Sequence, residues 1–119
     1  MRSHEESNLQ KNCVKWFSDT YPQLNDVFFA VPNGGARSVI TGAILKAEGV
    51  KRGIADLLLL VPTRHYHGLC IEMKTAKGRQ SIAQKHWQKA VTAQGYKYVI
   101  CRNGRDFAMA IINYLSGQK

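Results

Sequence analysis

The chain has 119 residues, 45% of them hydrophobic, which suits one globular domain spanning residues 1–119 and is too short for two. No apolar run approaches the roughly 18 residues that a membrane helix needs, and 9% aromatic content without low-complexity tracts argues against disorder. Lysine and arginine total 17 against 8 acids, a net charge of +9, which favours nucleic acid or an anionic membrane surface as a partner.

The three cysteines, Cys13, Cys70 and Cys101, form no CxxC pair and are odd in number. A reduced, intracellular protein follows, and a cysteine-held iron–sulfur cluster, which usually takes four, is disfavoured. Met1-Arg2-Ser3-His4-Glu5-Glu6 leads into no apolar stretch of signal-peptide type, so the expected location is the cytoplasm.

Residues 4–19 read as a first helix, with Leu9, Cys13, Trp16 and Phe17 on one face and Tyr21-Pro22 ending it. A compact strand is expected at Val27–Val31, closed by the turn-forming Pro32-Asn33-Gly34-Gly35. Ser38–Glu48 predicts a short helix capped by Ser38 and stopped at Gly49. The glycine-flanked basic stretch Gly49-Val50-Lys51-Arg52-Gly53-Ile54-Ala55-Asp56 then leads into a strand at Leu57–Val61. A hairpin tip at Pro62–His67 and a second strand at Leu69–Lys74 follow. Ser81–Gln94 reads as a helix with Ile82, Ala83, His86, Trp87, Ala90 and Val91 on one side. Tyr96–Cys101 alternates into a strand, and Asp106–Leu115 closes the chain as a helix. The order α-β-α-β-β-α-β-α predicts an α/β fold, a central mixed β-sheet flanked by helices on both faces.

The chemistry concentrates in Leu69-Cys70-Ile71-Glu72-Met73-Lys74. Side chains alternate along a strand, so Leu69, Ile71 and Met73 point one way and Cys70, Glu72 and Lys74 the other. A carboxylate and an ammonium thus sit side by side on an apolar strand, where each needs a partner or a metal. Asp56, one hairpin away, can approach Glu72. Two carboxylates beside a lysine suit phosphodiester hydrolysis: hard oxygen ligands from Asp56 and Glu72 would hold Mg²⁺ or Mn²⁺, and Lys74 would orient water or stabilise developing charge. An E-x-K tripeptide alone also reads as an ion pair on a solvent-facing edge strand. The preceding aspartate and its basic glycine-rich approach favour the site.

These residues resemble the VRR-NUC family, the virus-type replication-repair nucleases of the PD-(D/E)XK superfamily. The likeness runs through Glu6 and Gln10, Pro32-Asn33-Gly34-Gly35-Ala36-Arg37, Gly42-Ala43 with Leu45-Lys46-Ala47, and Gly49 to Leu57. It continues in Ile71-Glu72-Met73-Lys74, Ser81 with Gln84 and Trp87, and Gly95-Tyr96 with Val99 and Arg102. One departure is Ala55, where the family usually carries proline. The resemblance implies a restriction-endonuclease-like fold and a divalent-metal nuclease acting on DNA. Asp56 and Glu72 would be ligands with the Met73 backbone carbonyl a third, Lys74 the catalytic lysine, and Glu6 and Gln84 supporting residues. Stand-alone members of this length resemble homodimeric, structure-selective nucleases that cut branched DNA such as Holliday junctions. In a larger eukaryotic relative, the Fanconi-anaemia-associated nuclease, the same domain handles flaps and crosslinks.

Other readings stay open at this point. Ser3 with Glu6, and Ser81 with Gln84, each fit a capping box, which would occupy both supporting residues locally. His65 and His67 fit a solvated loop tip better than a metal pair, and Trp16 and Trp87 fit the core. Arg37, Lys51, Arg52, Lys77 and Arg79 fall in loops flanking the site, where phosphate contacts would need them. A restriction-like or single-strand-directed nuclease, or a non-catalytic nucleic-acid-binding subunit, would share this scaffold. For a homodimer, Val39, Ile40, Ile44 and Leu45, or Met109, Ile112 and Tyr114, are the apolar candidates, unless they are core.

Overall fold

The computed structural model describes residues 4–32 and 39–117. The elements are helix α1 (His4–Thr20), a 3-10 turn (Pro22–Val27), strand β1 (Phe28–Ala30), helix α2 (Val39–Ala47), strands β2 (Leu57–Leu59) and β3 (Leu69–Met73), helix α3 (Ile82–Ala93), strand β4 (Lys97–Cys101) and helix α4 (Gly104–Ser116). The expected order holds, with the 3-10 turn added.

The four strands lie in the order β1-β2-β3-β4. The pairs β1/β2 and β2/β3 are antiparallel, with Leu57 opposite Ile71, whereas β3 and β4 run parallel, with Ile71 opposite Val99. The sheet is mixed and β3 is internal, flanked on both edges. A parallel neighbour needs a crossover, and α3 supplies it between β3 and β4.

The alternation expected along β3 separates two cores. Leu69, Ile71 and Met73 join Leu57, Leu59, Phe28 and Cys101 in a large cluster covered by Cys13 and Phe17 of α1 and by Phe107, Ile111 and Tyr114 of α4. Phe17 and Phe28 stack with ring centroids 4.0 Å apart, and the Tyr114 hydroxyl donates to Val61 O at 2.6 Å. On the other face Ala55, Cys70 and Tyr98 form a smaller cluster under Trp87 and Val91 of α3. All three cysteines are buried and free, and burial pushes the Cys13 and Cys70 thiols up to about 11 and Cys101 to about 12, so they pack as neutral groups.

Local chemistry explains where boundaries differ from expectation. Helix α4 starts at Gly104 rather than Asp106 because Asn103 caps it, its side-chain oxygen accepting from Asp106 N at 2.7 Å. Helix α2 ends before Gly49, which takes φ +103°, a conformation glycine adopts without penalty. The expected Ser38 cap lies outside the described residues, as do the side chains of Val39 and Ile40. On α3 the docked stripe is Ala83, Gln84, Trp87, Gln88 and Val91, one position off the expected face. Ile82 is 87% exposed, and His86 and Ala90 also face solvent. Tyr114 belongs to the core, so of the second apolar set only Met109 and Ile112 remain as exposed candidates for self-association; from the first, Ile44 is exposed. Among the described residues no helix is long and apolar enough to cross a membrane.

Phe17 is fully buried between the two terminal helices and the sheet. Phe17→Ala is therefore expected to lower unfolding free energy by about 3–5 kcal/mol, read from the urea midpoint; a loss under about 1 kcal/mol would show that this face does not anchor the fold.

Candidate active site

Asp56 reaches its place through a glycine. Gly53 takes φ +75°, and a Cβ there would stand 2.5 Å from the Ala83 carbonyl and 2.8 Å from Gln84 N. The loop before β2 therefore lies directly against the first turn of α3, closer than any side chain permits. Asp56 follows at the head of β2, its backbone oxygen accepting from Val31 N at 2.9 Å. Its side chain is 8% exposed, and Oδ2 accepts from Met73 N at 2.7 Å, across to β3.

Glu72 is more enclosed, with 0% exposure on the internal strand. The Tyr98 hydroxyl on neighbouring β4 donates a short hydrogen bond to Oε1. Lys74 Nζ stands 3.5 Å from Oε2, near enough for ionic attraction, with the lysine side chain 13% exposed. Oε2 itself has no hydrogen-bond partner. Burial raises the Glu72 pKa above its ordinary value; Tyr98 and Lys74 oppose the rise, and the charge of nearby Asp56 adds to it. Beyond β3, Lys74 N donates to Cys101 O at 3.0 Å, extending the parallel ladder to the lysine. The turn that follows is clamped by Arg102, whose Nη1 donates to Thr75 O at 2.9 Å and Gly78 O at 2.7 Å.

These groups fit a hard divalent cation. A buried carboxylate oxygen without a hydrogen-bond donor, next to a second carboxylate, is the donor set such an ion takes. Among the described residues no group of three or more histidine, cysteine, aspartate or glutamate side chains is placed to hold a metal ion. A metal here would draw on Asp56 and Glu72, with main-chain oxygen and water completing its shell.

A family model for the VRR-NUC domain matches residues 1–104. The chain belongs to the VRR-NUC family. It is thus a nuclease domain of the PD-(D/E)XK type. The solved structure of a VRR_NUC domain protein shares its fold, with TM-score 0.85 and 24% identity over 100% of this chain and 94% of that one. No curated protein sequence matches.

Within this VRR-NUC domain, Asp56 meets β3 at the Met73 N–H, and Lys74 stands beside Glu72. Ala55, in place of the family's proline, is fully buried against Cys70 and Tyr98, so its contribution is packing. Gln84 realises its capping box: its side chain accepts from Ser81 N at 2.8 Å while Ser81 Oγ accepts from Gln84 N at 3.1 Å. Through Gly53 it also abuts the loop carrying Asp56. Glu6 is half-buried in the first turn of α1, and its expected cap partner Ser3 lies outside the described residues. Lys51 and Arg52 are exposed before Asp56, and Lys77 and Arg79 are exposed after Lys74; Arg37 lies outside the described residues. His65 and His67 are exposed at the loop tip, and Trp16 and Trp87 pack against the two cores.

Sequence reasoning missed Tyr98 and the clamp formed by Arg102. The signal for Tyr98 was present: a tyrosine inside a strand buries its ring and needs a partner for its hydroxyl. That its face is the one Glu72 shares follows from the parallel register, with Tyr98 opposite Cys70.

Because burial raises the pKa of folded Glu72 above 4.5, the protonated acid stabilises the metal-free fold. That contribution is complete below the unfolded value and fades as pH rises through the folded one. In EDTA, Glu72→Gln is expected to melt higher than wild type at neutral pH, with the gap closing as pH falls toward 4.5. Parallel melting curves across that range would show Glu72 to be solvated in solution.

Proposed function

We propose that residues 1–119 form a single divalent-metal-dependent endonuclease that hydrolyses DNA phosphodiester bonds in the cytoplasm. The observation that carries this reading is Glu72 Oε2, a buried carboxylate oxygen beside Asp56 and Lys74 and without a hydrogen-bond donor. A pure nucleic-acid-binding subunit has no use for carboxylates beside a phosphate, and keeping them buried costs stability.

Asp56 and Glu72 would hold Mg²⁺ or Mn²⁺, with the Met73 carbonyl as a third ligand. The cation supplies Lewis acidity toward a phosphate oxygen and the attacking water. Asp56 is held in register by the Met73 N–H, so the two carboxylates keep a fixed relation as DNA docks. Lys74, tethered through its backbone to Cys101, directs its ammonium to the attacking water or to charge developing on phosphorus. Glu6 and Gln84 support the site. Lys51, Arg52, Lys77, Arg79 and Arg37 contact the phosphate backbone and position the strand.

The preferred substrate in this reading is branched DNA, a Holliday junction, resolved by a homodimer. A four-way junction is pseudo-two-fold symmetric and needs paired nicks on opposed strands, which a C₂ dimer delivers. Exposed Met109 and Ile112 on α4, or Ile44 on α2, offer apolar surface for the second copy.

Asp56→Asn and Glu72→Gln should each abolish cleavage while leaving DNA binding intact, and Lys74→Ala should lose about 10²–10³-fold in turnover without losing metal in calorimetry. Wild-type turnover by either carboxylate variant in Mg²⁺ would sink the metal assignment.

On a panel of duplex, nicked, flap, single-stranded and four-way-junction DNA, the junction should be cut fastest, with two symmetric nicks, by a protein of dimer mass in light scattering. A monomer cutting linear duplex equally well would remove the resolvase and leave the general nuclease.

A further inference from the structure

The two oxygens of Glu72 stand in different surroundings. Oε1 accepts the Tyr98 hydroxyl proton; Oε2 faces Lys74 and accepts no hydrogen bond. What fixes this asymmetry lies outside the carboxylates. Tyr98 sits on β4 opposite Cys70, two residues before the position opposite Glu72, so its ring reaches along the sheet. Trp87 of α3 packs against that ring at 6.2 Å and 58°. Gln80 Nε2 donates to the Tyr98 hydroxyl at 3.3 Å and to Gln88 Oε1 at 2.8 Å. An amide nitrogen only donates, so the hydroxyl must accept from Gln80 and turn its own proton to Glu72. The donations start at Gln80, which gives one to Gln88 of α3 and one to Tyr98, and Tyr98 gives its own to the carboxylate.

We infer that Tyr98, oriented by Gln80, is a positioning residue that restricts Glu72 to one free oxygen and thereby tunes the site for small octahedral cations over Ca²⁺. The reasoning is coordination chemistry. Ca²⁺ takes six to eight oxygens and readily uses both oxygens of a carboxylate, whereas Mg²⁺ demands a near-ideal octahedron. A glutamate whose second oxygen is already committed to a phenol serves the octahedral ion and deprives Ca²⁺ of a bidentate ligand. This inference rests on the assignment of Asp56 and Glu72 as metal ligands.

The test is metal preference, measured by calorimetry on the whole chain with Mn²⁺ and Ca²⁺ separately. Tyr98→Phe keeps the ring and removes the hydroxyl, and its preference for Mn²⁺ over Ca²⁺ should shrink by about 10-fold. Gln80→Leu leaves the phenol but not its anchor and should shift the same ratio by a smaller factor. A merely structural tyrosine predicts a lower melting temperature in EDTA with the ratio unchanged, and an unchanged ratio overturns the inference whatever happens to absolute affinity. If Tyr98→Phe does not fold by circular dichroism, the Gln80→Leu ratio decides in the same way. Wild-type protein that binds no Mn²⁺, or whose binding survives Glu72→Gln, overturns the ligand assignment itself, an outcome distinct from a ratio that fails to move.

Discussion

A carboxylate with no solvent exposure, on the internal strand of the sheet, is the constraint to which the rest of the molecule answers. Glu72 gives up its hydration, and a lone buried charge is costly by several kcal/mol in real proteins. Three neighbours offset part of that cost: the Tyr98 hydroxyl, the Lys74 ammonium and the flanking strands that hold both in register. The offset is incomplete, since the Glu72 pKa stays raised and one oxygen accepts no hydrogen bond. A fold that retains such a residue gives away stability at that point, as functional sites do.

The stability comes from the opposite face. There the aromatic cluster of Phe17, Phe28 and Phe107, closed by Tyr114 on Val61 O, fastens α1 and α4 to the sheet with no buried charge among its members. The same strands carry polar chemistry on their other side, where the core shrinks to Ala55, Cys70 and Tyr98. Strand alternation makes this division possible. Because successive side chains point to opposite faces, Leu57 and Ile71 build one core while Asp56 and Glu72 meet on the other side. A one-residue slip of β2 against β3 would expose the hydrophobic set and scatter the carboxylates together, so one register serves both stability and chemistry.

That division explains what was legible in the sequence. Element order, the partition of β3 into two faces, and the meeting of Asp56 with Glu72 and Lys74 follow from patterns within a few residues. The buried stripe of α3 was placed one position off, because Gln84 and Gln88 look like surface residues. Gln84 is half-buried in the capping box and Gln88 accepts from Gln80, so hydrogen bonding rather than apolarity seats that side of the helix. Tyr98 needed the parallel register of β3 on β4, a long-range fact that local periodicity does not carry. Gly53 was visible as a glycine, but the closeness that requires it is a contact with Ala83, thirty residues on.

Charge is sorted by depth in a way that supports the proposed nuclease. The chain carries +9 overall, yet its two site carboxylates are buried, and the cations at Lys51, Arg52, Lys77 and Arg79 are exposed in the loops entering β2 and leaving β3. A polyanion approaching this surface meets positive charge first and carboxylate last. With a screening length of about 8 Å at physiological ionic strength, exposed loop cations would act on an approaching phosphate before the enclosed acids do. Arg102 belongs to this arrangement although its own charge is turned inward: by holding the carbonyls of Thr75 and Gly78 it fixes the path of the loop that presents Lys77 and Arg79. Acids that would repel DNA if exposed are thereby compatible with binding it, provided a cation neutralises them at the moment a phosphate arrives.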